Sequence, residues 1–310
     1  MPCPIPTEHE RRALFAWLRQ ASSLTAWRRL YSHHQVFVDA VAKAYEDEQS
    51  TPGRAATIPT DWYASVLRSH DAFATALKRL EQGDRRCFTF LGAPGHFSEG
   101  ILQVQWWQDM YGGSFVGRNG FDIADSPRWP EIAKAMHECL AALSDIGVVL
   151  QSRAIDLPAS VSSIEEYLSI PESSLIKHWH GRSTLAAVPT GVPEILVPTG
   201  KVIPCYGIWE PVRIRRRSGT DTMPSGKTCA LADSREVDGH TLDGCLNYLH
   251  GDFEAPTIEF EEDDPRNDGR PTTWRLVWRD DRYGENPMPE EESHYVFVQP
   301  VPGEVLFTYG

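Results

Sequence analysis

The sequence predicts an α+β protein, with a helical N-terminal half followed by a β-rich, mainly antiparallel C-terminal half. Two patterns and the change between them carry this. Up to about residue 150, apolar residues recur at three- and four-residue spacing, the period of a helix with one buried face. Past Pro198 that spacing disappears, and short alternating runs bounded by turn residues replace it. Between Thr184 and Pro198 the cluster Pro189, Gly191, Pro193 and Pro198 marks the change. The expected organisation is therefore a mainly helical region over 1–184 and a β-rich region over 185–310. Whether they share one continuous core is left open by the pattern.

The helices are justified in turn. Thr7 and Glu10 have capping-box spacing, so each can satisfy a backbone N–H of the other at a helix start. Leu14, Phe15, Trp17, Leu18 and Ala21 then form an apolar face. A second helix carries Trp27, Leu30, Tyr31, His34, Val38, Val41 and Tyr45, and Ser50, Pro52 and Gly53 end it. A third starts at Pro59-Thr60 and stops at Gly83, with Tyr63, Val66, Leu67, His70, Phe73, Ala74 and Leu77 as its face. Arg86–Leu91 alternates as a short strand. A fourth helix runs from Ser98 to Gly112-Gly113, with Leu102, Trp106 and Met110 on one side. A fifth has Ser126 as N-cap and Pro127 at its first position, with Trp129, Ile132, Met136, Leu140 and Leu143 as its stripe. Ser163–Ile170 reads as a short helix.

In the second half the expected strands are Glu194–Val197, Ile208–Arg215, Thr257–Glu261, Thr273–Trp278, His294–Gln299 and Val305–Tyr309. Trp274 and Trp278 are four apart, which in a regular strand places both on one face. Adjacent Trp106 and Trp107 must split between two helix faces, leaving one of them outward.

Composition narrows the function. The 310 residues carry a formal net charge of −13. That argues against nucleic-acid binding, which draws on positive charge, and against docking on anionic membranes. It suits a basic protein partner. No apolar run approaches a membrane span, and the N-terminus has no apolar signal core. The six cysteines contain no Cys-x-x-Cys pair, as expected of a reduced, cytoplasmic protein without a zinc cage.

Several motifs invite chemistry. Gly226-Lys227-Thr228 looks like the end of a phosphate-binding loop, but Asp221 stands where that loop needs its first glycine. His178 and His180, placed two apart on a strand, would share a face and could reach one metal ion, giving a metal-dependent hydrolase. A third ligand is not evident beyond Glu172, so a polar pair flanking a buried Trp179 is the competing account. His33-His34 diverge on a helix. His34 and His70 lie on apolar stripes and read as hydrogen-bonded core or boundary residues. His96 and Glu99 follow Gly92-Ala93-Pro94-Gly95 and could supply an acid and a base, although such a sequence is ordinarily only a turn. There is no Gly-x-Ser-x-Gly elbow. The acidic run Glu259, Glu261, Glu262, Asp263 and Asp264 is either a solvated edge or a contact for a basic partner. Arg213, Arg215, Arg216 and Arg217 form its positive counterpart.

Certain residues also carry a resemblance. Pro6-Thr7-Glu8-His9-Glu10-Arg11-Arg12 and Leu24-Thr25-Ala26-Trp27-Arg28-Arg29-Leu30 are joined by Ser218-Gly219, Pro224-Ser225-Gly226, Gly251-Asp252, Pro256 and Thr273-Trp274-Arg275. Together they resemble bacterial immunity proteins of families 71 and 72. Met223 stands where those families lead one to expect a cysteine before the Pro-x-Gly turn. The resemblance implies a cytoplasmic antidote encoded beside a polymorphic toxin delivered by contact-dependent inhibition or type VI secretion. Such a protein works by occluding its cognate toxin and is not an enzyme. It has no catalytic, metal or cofactor residues to carry across. Glu259, Glu261, Glu262, Asp263 and Asp264 are then the expected toxin contacts. A secreted effector remains the remaining alternative.

Overall fold

The computed structural model describes residues 5–50, 57–89, 95–111, 126–150, 168, 174–191, 195–213, 235–237, 239–258 and 270–297. The expected order of classes is found, helices first and then an antiparallel sheet. The chain forms two compact units, each assembled from two separate stretches.

One unit comprises Gln20–Ala154 and Arg282–Gly310. Its helices are α2 (Leu24–Gln49), α3 (Thr60–Glu81), α4 (Phe97–Tyr111) and α5 (Trp129–Ile146). The α2 helix packs against α3 and α5, and α3 against α4. Ser23 caps α2 by accepting the Ala26 N–H through its hydroxyl. At the far end, the Glu48 carboxylate accepts the backbone N–H groups of Thr57 and Ile58 at 2.8 and 2.9 Å. The core is aromatic: Trp27 stacks on Phe97 at 3.9 Å between ring centroids, with Phe73 and Phe88 edge-on to the indole. The carboxylate of Glu292, wholly buried, accepts the Thr25 N–H at 3.1 Å, the Thr25 hydroxyl at 2.8 Å and the Tyr283 hydroxyl. The Tyr283 oxygen in turn accepts the Leu24 N–H at 2.6 Å. The C-terminal stretch thereby satisfies donors that the first turn of α2 leaves open.

Some expectations in this unit need correction. Arg85–Phe88 is a 3₁₀ turn rather than a strand, capped by Asp84, whose side chain accepts the Arg86 N–H. Two arginines, Arg86 and Arg79, hold the Asp84 carboxyl well below its ordinary value, at about 2, against the opposing effect of burial. The α5 helix starts at Trp129 with Pro130 in its first turn, three residues after the expected cap, because Ser126 and Pro127 form the preceding turn. On α3, Leu67 and Ala74 face outward, while Ser69, Ala72, Ala76 and Leu80 join Val66, Phe73 and Leu77 inside.

The other unit comprises Met1–Arg19 and Ile155–Asp281. It begins with α1 (Glu8–Ala21), whose last two residues fall in the helical unit, and later carries α6 (Ser174–His180). Thr7 and Glu10 do form the capping box: the Glu10 carboxylate accepts the Thr7 N–H at 2.6 Å. The strands are β1 (Leu196–Pro198), β2 (Gly207–Arg213), β3 (Glu236–Val237), β4 (His240–Leu242), β5 (Asn247–Leu249) and β6 (Thr273–Arg279). Their order is β1-β6-β2-β4-β3, with β5 also paired to β2, and every pairing is antiparallel. Trp209, Trp274, Leu276, Val197, Ile203, Leu249 and Ala255 fill one face. On the other, Glu210 lies beside Arg275 and receives Arg11 from α1, at 2.8 and 2.5 Å. All three side chains are buried, and the Glu210 carboxylate serves both arginines, with Glu8 a further 3.8 Å ion-pair partner of Arg11.

A register shift between Ile208 and Trp209 adds one residue to β6. Trp278 pairs with Ile208 and Trp274 with Pro211, and these partners, three apart, face opposite ways. The two tryptophans therefore do not share a face, contrary to the regular-strand expectation. Gly207 is required at the same place, since a Cβ there would lie 2.2 Å from the Trp278 carbonyl oxygen. Most of Thr257–Glu261, the end of His294–Gln299, and Val305–Tyr309 lie outside the described residues. His294 itself ends a 3₁₀ turn over Glu290–His294.

Candidate partner-binding surface

Within the helical unit, α3 and α4 are held close by two glycines. A Cβ at Gly100 would sit 2.6 Å from the Cβ of Phe73, and Gly95, at φ +82°, lies against Thr75. The start of α4 explains His96 and Glu99. The Glu99 N–H donates to His96 Nδ1 at 3.1 Å, and the Glu99 carboxylate accepts the Gly95 N–H at 3.2 Å. This is a reciprocal cap with histidine in the capping place, and it gives both residues a structural task.

That close approach fixes the outer faces of both helices. The buried stripe of α4 is Phe97, Ile101, Val104 and Trp107. Trp107 sits inside, edge-on to Phe37 at 5.7 Å. Its neighbour Trp106 points out and meets Trp62 of α3 edge-on at 4.6 Å. Trp62, Ser65, Leu102, Gln103 and Trp106 line an open notch of about 210 Å³. Leu102 is 55% exposed, whereas Met110, expected on the same side of the helix, is buried. Helical spacing puts Glu99 and Asp109 three residues either side of Leu102 and Trp106, and Asp61 beside Trp62; all three carboxylates are exposed. Arg68 donates to the Ser65 hydroxyl at 2.6 Å. The arrangement offers apolar aromatic surface edged mainly by negative charge. The adjacent Trp106-Trp107 pair was the sequence signal for it; Trp62 and Leu102 gave none, since their outward direction depends on how α3 and α4 pack.

The other candidates fall out differently. Glu259, Glu261, Glu262, Asp263 and Asp264 lie outside the described residues, as do Arg215, Arg216, Arg217 and the Gly226-Lys227-Thr228 segment. Ser163–Ile170 does too, apart from Leu168. His178 and His180 lie on a helix, α6, and not on a strand. Two positions along a helix are about 200° apart, so the rings diverge and the shared-face geometry for a metal is lost. His180 instead accepts, through its carbonyl, a hydrogen bond from the His9 ring at 2.8 Å. Among the described residues no group of three or more His, Cys, Asp and Glu side chains is placed to hold a metal ion.

His34 and His70 are the hydrogen-bonded histidines that their positions suggested. Their Nδ1 atoms are 3.1 Å apart, the rings are parallel, and Tyr31 bonds the other side of His70 at 2.8 Å. Burial and the neighbouring His70 push His34 down to about 3. In the sheet unit, His250 is enclosed by Tyr206, Tyr248 and Phe253, and burial lowers it likewise to about 3. The thiols of Cys87 and Cys139 are driven up by burial, the latter to about 12, which keeps them protonated and unreactive.

No helix among the described residues is long and apolar enough to cross a membrane. No curated protein and no solved structure matches the chain. Two family models do, described as immunity protein 71 over residues 5–158 and immunity protein 72 over residues 191–296. The two matches follow one another along the chain and take in both the helices and the sheet, so the chain belongs to the immunity proteins, of families 71 and 72 in succession.

Proposed function

We propose that this immunity protein binds a cognate toxin domain and neutralises it by occlusion, without chemistry of its own. It acts in the cytoplasm, where a toxin delivered by type VI secretion or contact-dependent inhibition meets its target. The observation that carries this is the pair of immunity-family matches over both halves of the chain. Occlusion needs a preformed surface with a few desolvated anchors, and a rigid helical pair bearing an outward tryptophan supplies one. A net charge of −13 favours a basic toxin, with the acidic run Glu259, Glu261, Glu262, Asp263 and Asp264 as a further contact.

The test is co-expression with the C-terminal domain of the polypeptide encoded immediately upstream. Cells carrying both should grow, and the two should co-purify in a stoichiometric complex. Reversing the five acidic charges should weaken that complex by about tenfold and steepen the loss of protection at low expression. Protection without a complex, or toxicity of the chain expressed alone, would overturn the proposal.

A further inference from the structure

We infer that the notch between α3 and α4 is a docking site for the toxin, and that its occupant is an arginine- or lysine-bearing segment. The inference rests on the toxin-binding reading above and adds the surface and the chemistry of what it holds.

Three features converge on this patch. First, Leu102 is among the most exposed large apolar residues described, and it lies beside two half-exposed tryptophans in edge contact. Leaving that apolar area in water is unfavourable, and tryptophan is enriched where binding energy concentrates. Second, the patch is held firmly from below. Gly95 and Gly100 bring α4 against Thr75 and Phe73, and Trp107 anchors the adjacent turn inside. The tryptophans are thus presented without an ordering cost on binding.

Third, the charge selects the occupant. Asp61, Glu99 and Asp109 lie along the rim by helical spacing, opposed by Arg68, which is already engaged with Ser65. An indole face attracts a cation, and an arginine stem packs on apolar surface while its guanidinium reaches a carboxylate. A cavity of about 210 Å³ is of the size to take one long side chain rather than a drug-sized ligand. An acidic or purely apolar segment would leave the rim carboxylates repelled or desolvated.

The experiment measures Kd by calorimetry for the purified upstream-encoded C-terminal domain, at low and raised salt, against wild type and three variants. Leu102→Arg places a cation in the notch and should weaken binding by about 30-fold or more. The double variant Asp61→Lys, Asp109→Lys should weaken it by about tenfold and flatten the salt dependence. Lys134→Glu, exposed on α5, should leave it unchanged. Thermal melting confirms that each variant is folded. If wild type binds and both notch variants bind equally well, this inference falls and the toxin-binding reading stands. If only Leu102→Arg weakens binding, the notch is a contact but the cationic occupant is wrong. If wild type self-associates through a surface that Leu102→Arg abolishes, the occupant is a second copy of the chain and the inference is overturned. If wild type does not bind at all, both readings fall.

Discussion

His34 and His250 show how single residues tie the fold to pH. Each is buried, and each has its proton affinity lowered from an ordinary value near 6.5 to about 3. The main cause in both is burial, which penalises the charged ring. The unfolded chain therefore binds protons that the folded chain refuses. Folding stability is fully present above about pH 6.5 and is lost as pH falls from there toward 3, by about 1.4 kcal/mol per pH unit for each histidine. Urea unfolding at pH 7 and pH 5 should show that loss. His250→Phe, which keeps a ring among Tyr206, Tyr248 and Phe253, should lower the slope by about 1.4 kcal/mol per pH unit. An unchanged slope would show that His250 is not a contributor. The sequence made His34 legible because it sits on an apolar stripe. His250 carries no such local signal, because its enclosure depends on aromatic residues brought in from Tyr206 and Phe253.

At the scale of elements, long helices were legible, and of the short strands only β1 was, over part of Glu194–Val197. The α2 and α3 helices have periods long enough to declare themselves, and Ser23 and Gly83 mark ends that the chain could not continue through. β2 and β6 were found because each has seven residues. β3, β4 and β5 have two or three residues each and show no alternation to read. The bulge in β6 was invisible for a different reason: it lies in the pairing with β2, and no local pattern encodes it. The docking notch was half legible. Adjacent tryptophans guarantee that one points outward, but which residues join it depends on the approach of α4 to α3. That approach makes a prediction. Gly100→Ala would force its methyl group against Phe73 and should destabilise the helical unit by about 1–3 kcal/mol, measured by chemical denaturation. It should also weaken toxin binding more than an equally destabilising change in α5, because it moves the wall of the notch. No effect on either would mean that the helices separate freely.

For the whole molecule, the informative fact is that neither compact unit is one continuous stretch. The helical unit takes in Arg282–Gly310, and the sheet unit takes in Met1–Arg19. This exchange is not legible beforehand, since nothing in a local pattern says that Glu292 will meet Thr25. Ending the chain at Asp281 should cost the helical unit at least about 3 kcal/mol. The lost bonds are those of Glu292 with Thr25 and Tyr283 and of Tyr283 with Leu24. Hydrogen exchange should then quicken in the first turn of α2 while the middle of β2 stays protected. Equal protection in both would refute the role given to the tail.

The position of Glu292 also bears on synthesis. A ribosome releases the chain from its N-terminus, and domains ordinarily close as they emerge. Here α2 emerges early and waits for a carboxylate made more than two hundred residues later. A chain translated only in part would lack that clasp, so a prematurely terminated copy should be cleared by proteases faster than the full-length chain.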